Sequence, residues 1–355
     1  MNLAFYAPLK APDHPVPSGD RTMARALIKA MEYADIAVST ASDLRIYDSA
    51  GDTARQAELM RQAKAETDRI LTDPEAQTWQ AWLTYHNYYK APDLIGPAVT
   101  RALGIPYVQV ESTRARKRLT GPWATFAEAA EAASDHARTI FYVTERDAET
   151  LRRDAPDGQV LTHLRPFLQR ADLPARSDYS GPMLSVGMMR AGDKLASYHL
   201  IAETLHRLDD DLDWRLDIAG GGPAQAEVGQ AMMPFGARVQ MLGALGADAL
   251  QDRYEHARLL FWPGVNEAFG YAYLEAQAAG LPVVAQDRPG VRDVVAGMQP
   301  AMSEGPDAMA LRLTGLLSDT DAVQTLGAAA RGKVAVHHLL PVAARTLRTA
   351  LEDLI

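Results

Sequence analysis

Glu267 and Glu275 are two carboxylates with seven residues between them, set where the chain has to pass from a strand end through a tight loop into a short helix. The loop Asn266-Glu267-Ala268-Phe269-Gly270 brings backbone N–H groups to a helix N-terminus, a place that favours an anion or a sugar hydroxyl. A carboxylate just ahead of that helix would repel a phosphate, so Glu267 suits a hydroxyl. Glu275, about a turn and a half into the helix, can accept two hydrogen bonds at once, which matches a vicinal diol such as a ribose. A second group lies upstream in Ser185-Val186-Gly187-Met188-Met189-Arg190-Ala191-Gly192-Asp193-Lys194. There Lys194 and Arg190 flank a glycine-containing loop at a helix start and could neutralise a diphosphate without metal, lowering the barrier as charge grows on a leaving phosphate. Arg190 either joins that grip or points to solvent.

The N-terminal half offers less. A proline-rich loop from Pro8 to Pro17 leads into Ser18-Gly19-Asp20-Arg21, where Ser18 or Asp20 can cap a helix. Gly19 is the only glycine of this loop, and Arg21 is read either as a phosphate contact or as half of a structural ion pair. His86 ends a strand in Thr84-Tyr85-His86-Asn87-Tyr88-Tyr89, with a ligand role or a purely local hydrogen bond as its two readings. The basic run Arg114-Ala115-Arg116-Lys117-Arg118 fits a phosphorylated acceptor, an anionic membrane surface or a solvated loop equally.

The elements that must position these residues alternate as strand and helix over most of the chain, the pattern of a parallel α/β fold. Strands are expected at Leu3–Ala7, Ile36–Thr40, Trp82–Tyr85, Tyr107–Glu111, Thr139–Val143 and Val160–Leu164. A second series follows at Met183–Met189, Trp214–Ala219, Arg238–Leu242, Leu259–Trp262 and Pro282–Ala285. Helices are expected between them, among others at Met23–Tyr33, Ala54–Leu71, Leu195–Leu208 and Gly270–Ala279, with a helical tail from Pro306. From Pro166 to Pro182 the pattern lapses into Arg, Asp, Pro and Ser, as in a linker. The expected division is residues 1–170, 171–335 and a terminal helix, 336–355, returning to the first domain. Two open α/β halves imply a cleft between them, with ligands at the C-terminal strand ends.

The stretch from Glu267 to Ala285 resembles the retaining glycosyltransferases of family 4, group 1 type. Their hallmark has the form E-x-F-G-x-x-x-x-E-A-x-A-x-G-x-P-V-V-A, and Glu267, Phe269, Gly270, Glu275, Gly280 and Pro282 match it position by position. The resemblance implies a GT-B fold of two Rossmann-like domains. It implies that Glu267 binds the donor sugar, that Glu275 binds the nucleotide ribose, and that Lys194 and an arginine hold the diphosphate. It also implies a front-face transfer of a hexosyl group from a nucleoside diphosphate sugar to an acceptor hydroxyl, with retention at the anomeric carbon. Met188 stands where relatives have the arginine, and Arg190 comes two residues late. In many relatives a His near the sugar corresponds to His86.

With 355 residues, 47% hydrophobic and 23% charged, the chain has the make-up of a folded protein of about two domains. A net charge of -9 makes a nucleic-acid partner a poor expectation. The absence of cysteine removes disulfides and thiolate chemistry. No segment reads as a signal peptide or membrane span, so a cytoplasmic location is expected, with peripheral contact at the inner membrane surface left open. No D-x-D motif stands out, and neither a metal nor a separate cofactor is expected. Asp209-Asp210-Asp211 reads as a solvated turn. Gly220-Gly221-Gly222 reads as close strand–helix packing, since the dinucleotide spacing fails. Family breadth leaves a cell-surface polysaccharide, a lipid-linked sugar or a small metabolite as acceptor. Two rival functions share the scaffold: a nucleotide-sugar 2-epimerase, and a nucleotide-sugar-binding protein without catalysis.

Overall fold

A computed structural model describes every residue of the chain except Pro17; that end of the proline-rich loop lies outside the described residues. The first half contains strands β1 (Asn2–Tyr6), β2 (Ala37–Ser42), β3 (Ala81–Tyr85), β4 (Tyr107–Val110), β5 (Thr139–Tyr142) and β6 (Val160–His163). Helices α1 (Gly19–Tyr33), α2 (Thr53–Leu71), α3 (Gly96–Leu103), α4 (Ala124–His136) and α5 (Glu145–Asp154) connect them. All pairings are parallel, in the order β2-β1-β3-β4-β5-β6. The central strands β3, β4 and β5 are buried along their whole length, as the uninterrupted apolar runs of a two-sided parallel sheet require. Helix α3 stops at Gly104, which takes the left-handed conformation (φ 69°), with Pro106 two residues on.

The second half repeats the scheme with β7 (Met183–Val186), β8 (Leu216–Ala219), β9 (Val239–Gly243), β10 (Leu260–Phe261) and β11 (Val283–Val284). Its helices are α6 (Asp193–Leu205), α7 (Gln225–Met232), α8 (Ala247–His256), α9 (Tyr271–Ala278), α10 (Pro289–Val294), α11 (Gly305–Ser318) and α12 (Thr320–His337). The sheet order is β11-β10-β7-β8-β9, again parallel. Each sheet therefore reverses its winding once, between β1 and β3 in the first and between β7 and β10 in the second. In such sheets the crevice above the reversal point, at the C-terminal strand ends, is where ligands bind.

The chain separates into two compact units, Met1–Arg165 with Leu340–Ile355, and Pro166–Leu339. The last helix, α13 (Leu340–Glu352), packs on α1 of the first unit, with Ala343, Ala344, Leu347 and Leu351 buried. Residues 166–182, expected as a linker, contain no helix or strand yet are built into the second unit. Phe167, Leu168 and Tyr179 are buried, Leu168 N donates to His338 O at 2.8 Å, and the Tyr179 hydroxyl donates to Gly280 O at 2.9 Å. The few apolar residues among the polar ones decide its placement. Helix α4 is absent from the expected elements because its alanines on both faces blur the helical period. No helix among the described residues is long and apolar enough to cross a membrane.

Candidate active site

In the second unit β7 and β10 are neighbours, paired through Leu184 and Leu260, so the loops at their C-terminal ends must meet. Lys194 sits in the first turn of α6, after the β7 loop, and its ammonium donates to Glu267, after β10. The contact joins residues far apart in sequence, and both side chains are largely withdrawn from water, with 27% and 13% of their surface exposed. The Trp262 indole N–H donates to the same Glu267 oxygen at 2.9 Å, and the Lys194 ammonium lies 5.4 Å from the indole centroid. Glu267 is thus fixed by a cation and a neutral donor together.

The rest of the loop is held by side chains of α6. Val265 N donates to Ser197 Oγ at 3.0 Å, and Asn266 Nδ2 donates to Asp193 Oδ2 at 2.9 Å. Asn266 itself is left-handed (φ 52°), a conformation this short amide tolerates better than most residues. The expectation of a row of free N–H groups needs one correction: Glu267 N donates to Gly264 O at 3.3 Å, closing a turn. Ala268 presents its carbonyl to Gly290, where a Cβ would come within 1.9 Å of it. Phe269 is buried, and Gly270 (φ 70°) opens α9 with no side-chain cap.

Glu275 lies on α9 as its spacing implied and accepts from the Tyr254 hydroxyl at 3.0 Å. Burial raises its pKa, only partly offset by Tyr254 and by the charge of Arg170. Arg190 is exposed and forms no side-chain hydrogen bond or ion pair among the described residues, so of the two phosphate-grip cations only Lys194 is tied into the site. Gly187 has a packing duty: a Cβ there would lie 2.5 Å from the six-membered ring of Trp262. Gly220 and Gly222 bring β8's loop against the Gly187 and Met189 backbone, so the close approach is to the loop after β7 and not the strand–helix packing expected of them. Arg288, just before α10, is a cation the sequence reading missed. Burial lowers its pKa against the pull of Tyr273 and the charge of Asp193, which puts it near this loop system. Its only sequence signal is a position directly before Pro289-Gly290, a loop break.

The first unit places its residues at the other reversal point. Because β1 and β3 are paired, Asp20 in the first turn of α1 meets His86 at the end of β3, with Nδ1 and Oδ1 3.0 Å apart. His86 has φ 67°, and Glu111, at the end of the adjacent β4, has φ 55°, both strained for side-chain-bearing residues. Burial pulls the His86 pKa down, but the Asp20 hydrogen bond and the charges of Glu111, Asp20 and Asp147 outweigh it and the net shift is upward. Asp20 shifts downward, chiefly through that hydrogen bond. The Glu111 carboxyl is pushed up by burial. Asp20 and Glu111 were not singled out from sequence as site residues, since only strand adjacency brings them to His86.

Arg21 donates to the His14 and Pro15 carbonyls at 3.0 and 3.2 Å. It anchors the proline-rich loop and forms no ion pair among the described residues. Gly19 has open space around its Cβ position, so no protein atom demands glycine there. The basic run is not one patch: Arg114 is interior and pairs with Glu131 and Asp135 at 2.9 and 2.6 Å, and Arg116 faces Asp154 at 3.4 Å. Among the described residues no group of three or more His, Asp or Glu is arranged to hold a metal ion.

Residues 183–319, which include every second-unit site residue named above, match the family Glycosyl transferases group 1. Over this segment the chain is similar to the group 1 glycosyl transferases. A D-inositol 3-phosphate glycosyltransferase of Corynebacterium urealyticum is 29% identical over 46% of the chain and 42% of its own length. A GDP-mannose-dependent alpha-mannosyltransferase of Corynebacterium glutamicum is 35% identical over 43% of the chain and 32% of its own length. The chain thus spans less than half of these curated relatives. Across its full length it superposes on Anabaena HepE, solved in complex with UDP, with a TM-score of 0.71 at 14% identity, each chain covered completely. That likeness concerns the fold, which is GT-B, as the group 1 resemblance implied.

Proposed function

We propose that this chain is a group 1 glycosyl transferase that moves a hexosyl group from a nucleoside diphosphate sugar to an acceptor hydroxyl, with retention at the anomeric carbon. The observation that carries the reading is the Lys194–Glu267 contact at the reversal point of the second sheet, inside the segment matched to the family. A ligand entering here would exchange that contact for two others: the diphosphate takes the Lys194 ammonium, and a sugar hydroxyl donates to Glu267. Trp262 keeps Glu267 in place when the lysine turns to phosphate. The bond from the anomeric carbon to the phosphate oxygen breaks, and the growing charge on that oxygen falls on Lys194, with exposed Arg190 free to swing in. The acceptor oxygen bonds to the same carbon, and its proton passes to the departing diphosphate.

Asn266, Ala268, Phe269 and Gly270 shape the sugar end of this site, and Gly187 keeps its floor open. Glu275 holds the ribose through the oxygen that Tyr254 leaves free. The UDP seen in HepE and the GDP-mannose named for the Corynebacterium relative make uridine and guanosine donors the first to try. In the first unit, His86 with Asp20 serves the acceptor or the donor sugar, and Gly19 and Arg21 shape the loop beside them. Side-chain cations, not a metal, are proposed to meet the phosphate charge, so turnover should persist in chelator.

Isothermal titration with uridine, guanosine and adenosine diphosphate sugars tests the reading; failure to bind any of them refutes it. Donor incubated alone separates the epimerase, which would interconvert the sugar. A non-catalytic binder would show affinity without turnover across a broad acceptor panel.

A further inference from the structure

The C-terminal edge of the first sheet carries a feature that the donor chemistry leaves unused. Tyr89 and Trp123 meet edge to face with centroids 5.8 Å apart. Two cations lie over both rings: the Lys90 ammonium 5.7 Å from each centroid, and the Arg118 guanidinium at 5.1 and 5.3 Å. All four residues are half-buried. Arg114 and Arg116 pair with acids, whereas Lys90 and Arg118 form no ion pair among the described residues, and Arg118 Nε is buried without any hydrogen-bond partner. The nearby Asp48 carboxylate is already committed to the N–H groups of Ala50, Gly51 and Asp52 and to Gln56.

Two like charges gathered over one pair of rings repel each other, and the ring quadrupoles offset this only in part. Partial withdrawal from water adds to the cost. The arrangement is nevertheless fixed: the Trp123 indole N–H donates to Asp48 O at 3.4 Å, and Asp48 N donates to Lys90 O at 3.0 Å. A doubly charged anion held by the Lys90 ammonium and the outer guanidinium nitrogens of Arg118 would relieve the repulsion. From this point the rings continue without a break. Tyr89 meets Tyr88 edge to face at 5.7 Å, and Tyr88 stacks on His86 at 4.8 Å, so a row of touching rings runs from the cations to the His86–Asp20 pair.

We propose that this edge binds an acceptor carrying a phosphomonoester on a sugar or polyol. The phosphate sits on Lys90 and Arg118, the sugar or polyol lies along this row of rings, and a hydroxyl is turned towards His86. The inference deepens the transferase reading and rests on it for the word acceptor. The same phosphomonoester can come as a soluble sugar phosphate or as a phosphorylated polyol lipid headgroup.

The test titrates the full chain with glucose, with hexose 6-phosphates, and with phosphatidylcholine vesicles containing or lacking phosphatidylinositol phosphate. The parent is compared with Lys90→Gln/Arg118→Gln, after a check that the variant melts normally and binds nucleoside diphosphate as the parent does. The single Lys90→Gln variant replaces it should the double one fail to fold. The expected result is phosphate-dependent binding that the double variant weakens about 10-fold or more, the scale of a lost charge-assisted contact. Binding of the soluble compounds assigns a soluble acceptor, and binding confined to phosphoinositide vesicles assigns a lipid one. Equal affinity for glucose and its phosphate, binding of neither form, or unchanged affinity in the variants overturns the proposal. Sugar phosphate binding that needs the two cations, in a chain that binds no nucleotide sugar, would instead overturn the transferase reading and leave the anion site standing.

Discussion

Gly187→Ala probes the floor of the proposed donor site without reference to any ligand. A Cβ at this position falls 2.5, 2.9 and 3.0 Å from three atoms of the six-membered ring of Trp262. Ordinary carbon contacts are about 3.5–4.0 Å, so the ring must retreat by about 1 Å. It has little room to do so: Trp262 is 2% exposed, its N–H is bound to Glu267 at 2.9 Å, and the Tyr198 ring stands against it at 5.1 Å. Overpacking of this kind costs about 1–3 kcal/mol. For a unit of this size that corresponds to a fall of about 2–12 °C in the second unit's melting temperature. Trp262→Phe removes the ring atoms that clash, at its own cost from the lost N–H bond and the space left behind. The decisive measurement is a double-mutant cycle by denaturant unfolding or calorimetry. The double variant should be more stable than the sum of the single effects predicts, by about 1 kcal/mol or more. Additivity within about 0.5 kcal/mol would refute the packing argument.

The other expectations concern charge. Lys194→Ala should lower kcat by about 10²–10³, the scale of losing one preorganised group at a developing oxyanion, read by donor turnover at saturation. Glu275→Gln should weaken nucleotide binding in titration calorimetry while stabilising the fold at neutral pH. Because burial raises the folded-state pKa of Glu275, its contribution is most favourable below the unfolded carboxylate value and is lost as pH rises through the folded one. Parent and variant should therefore converge in acid, and a variant less stable at neutral pH would contradict this. Asp20→Asn should lower the His86 pKa in an NMR titration of the imidazole. The stability that the pair supplies lies between the lowered Asp20 value and the raised His86 value, so the variant should lose it within that window and not above it.

Much of this molecule is local in origin and therefore legible in the chain. The inner strands β3, β4 and β5 fall where short apolar runs stand, because a parallel strand buried on both faces needs mainly apolar residues. Gly104 and Pro106 mark the end of α3, and the run from Glu267 to Pro282 places a loop, a helix and a strand by residue type alone. The order of the strands was not legible, and the partnerships depend on it. Lys194 reaches Glu267 only because β7 and β10 are neighbours, and His86 reaches Asp20 only because β1 and β3 are.

For the same reason the sequence shows Gly187 only as part of a loop beside two cations, whereas the fold sets it against Trp262, and residues 114–118 read as a single basic stretch. In the fold Arg114 turns inward to Glu131 and Asp135, while Arg118 joins Lys90 over Tyr89 and Trp123, rings that the connections after β3 and β4 bring together. Residue type and spacing determined which elements form and which groups are able to act. Which of those groups meet was decided by strand adjacency, since distant loops converge only once a sheet has set its order.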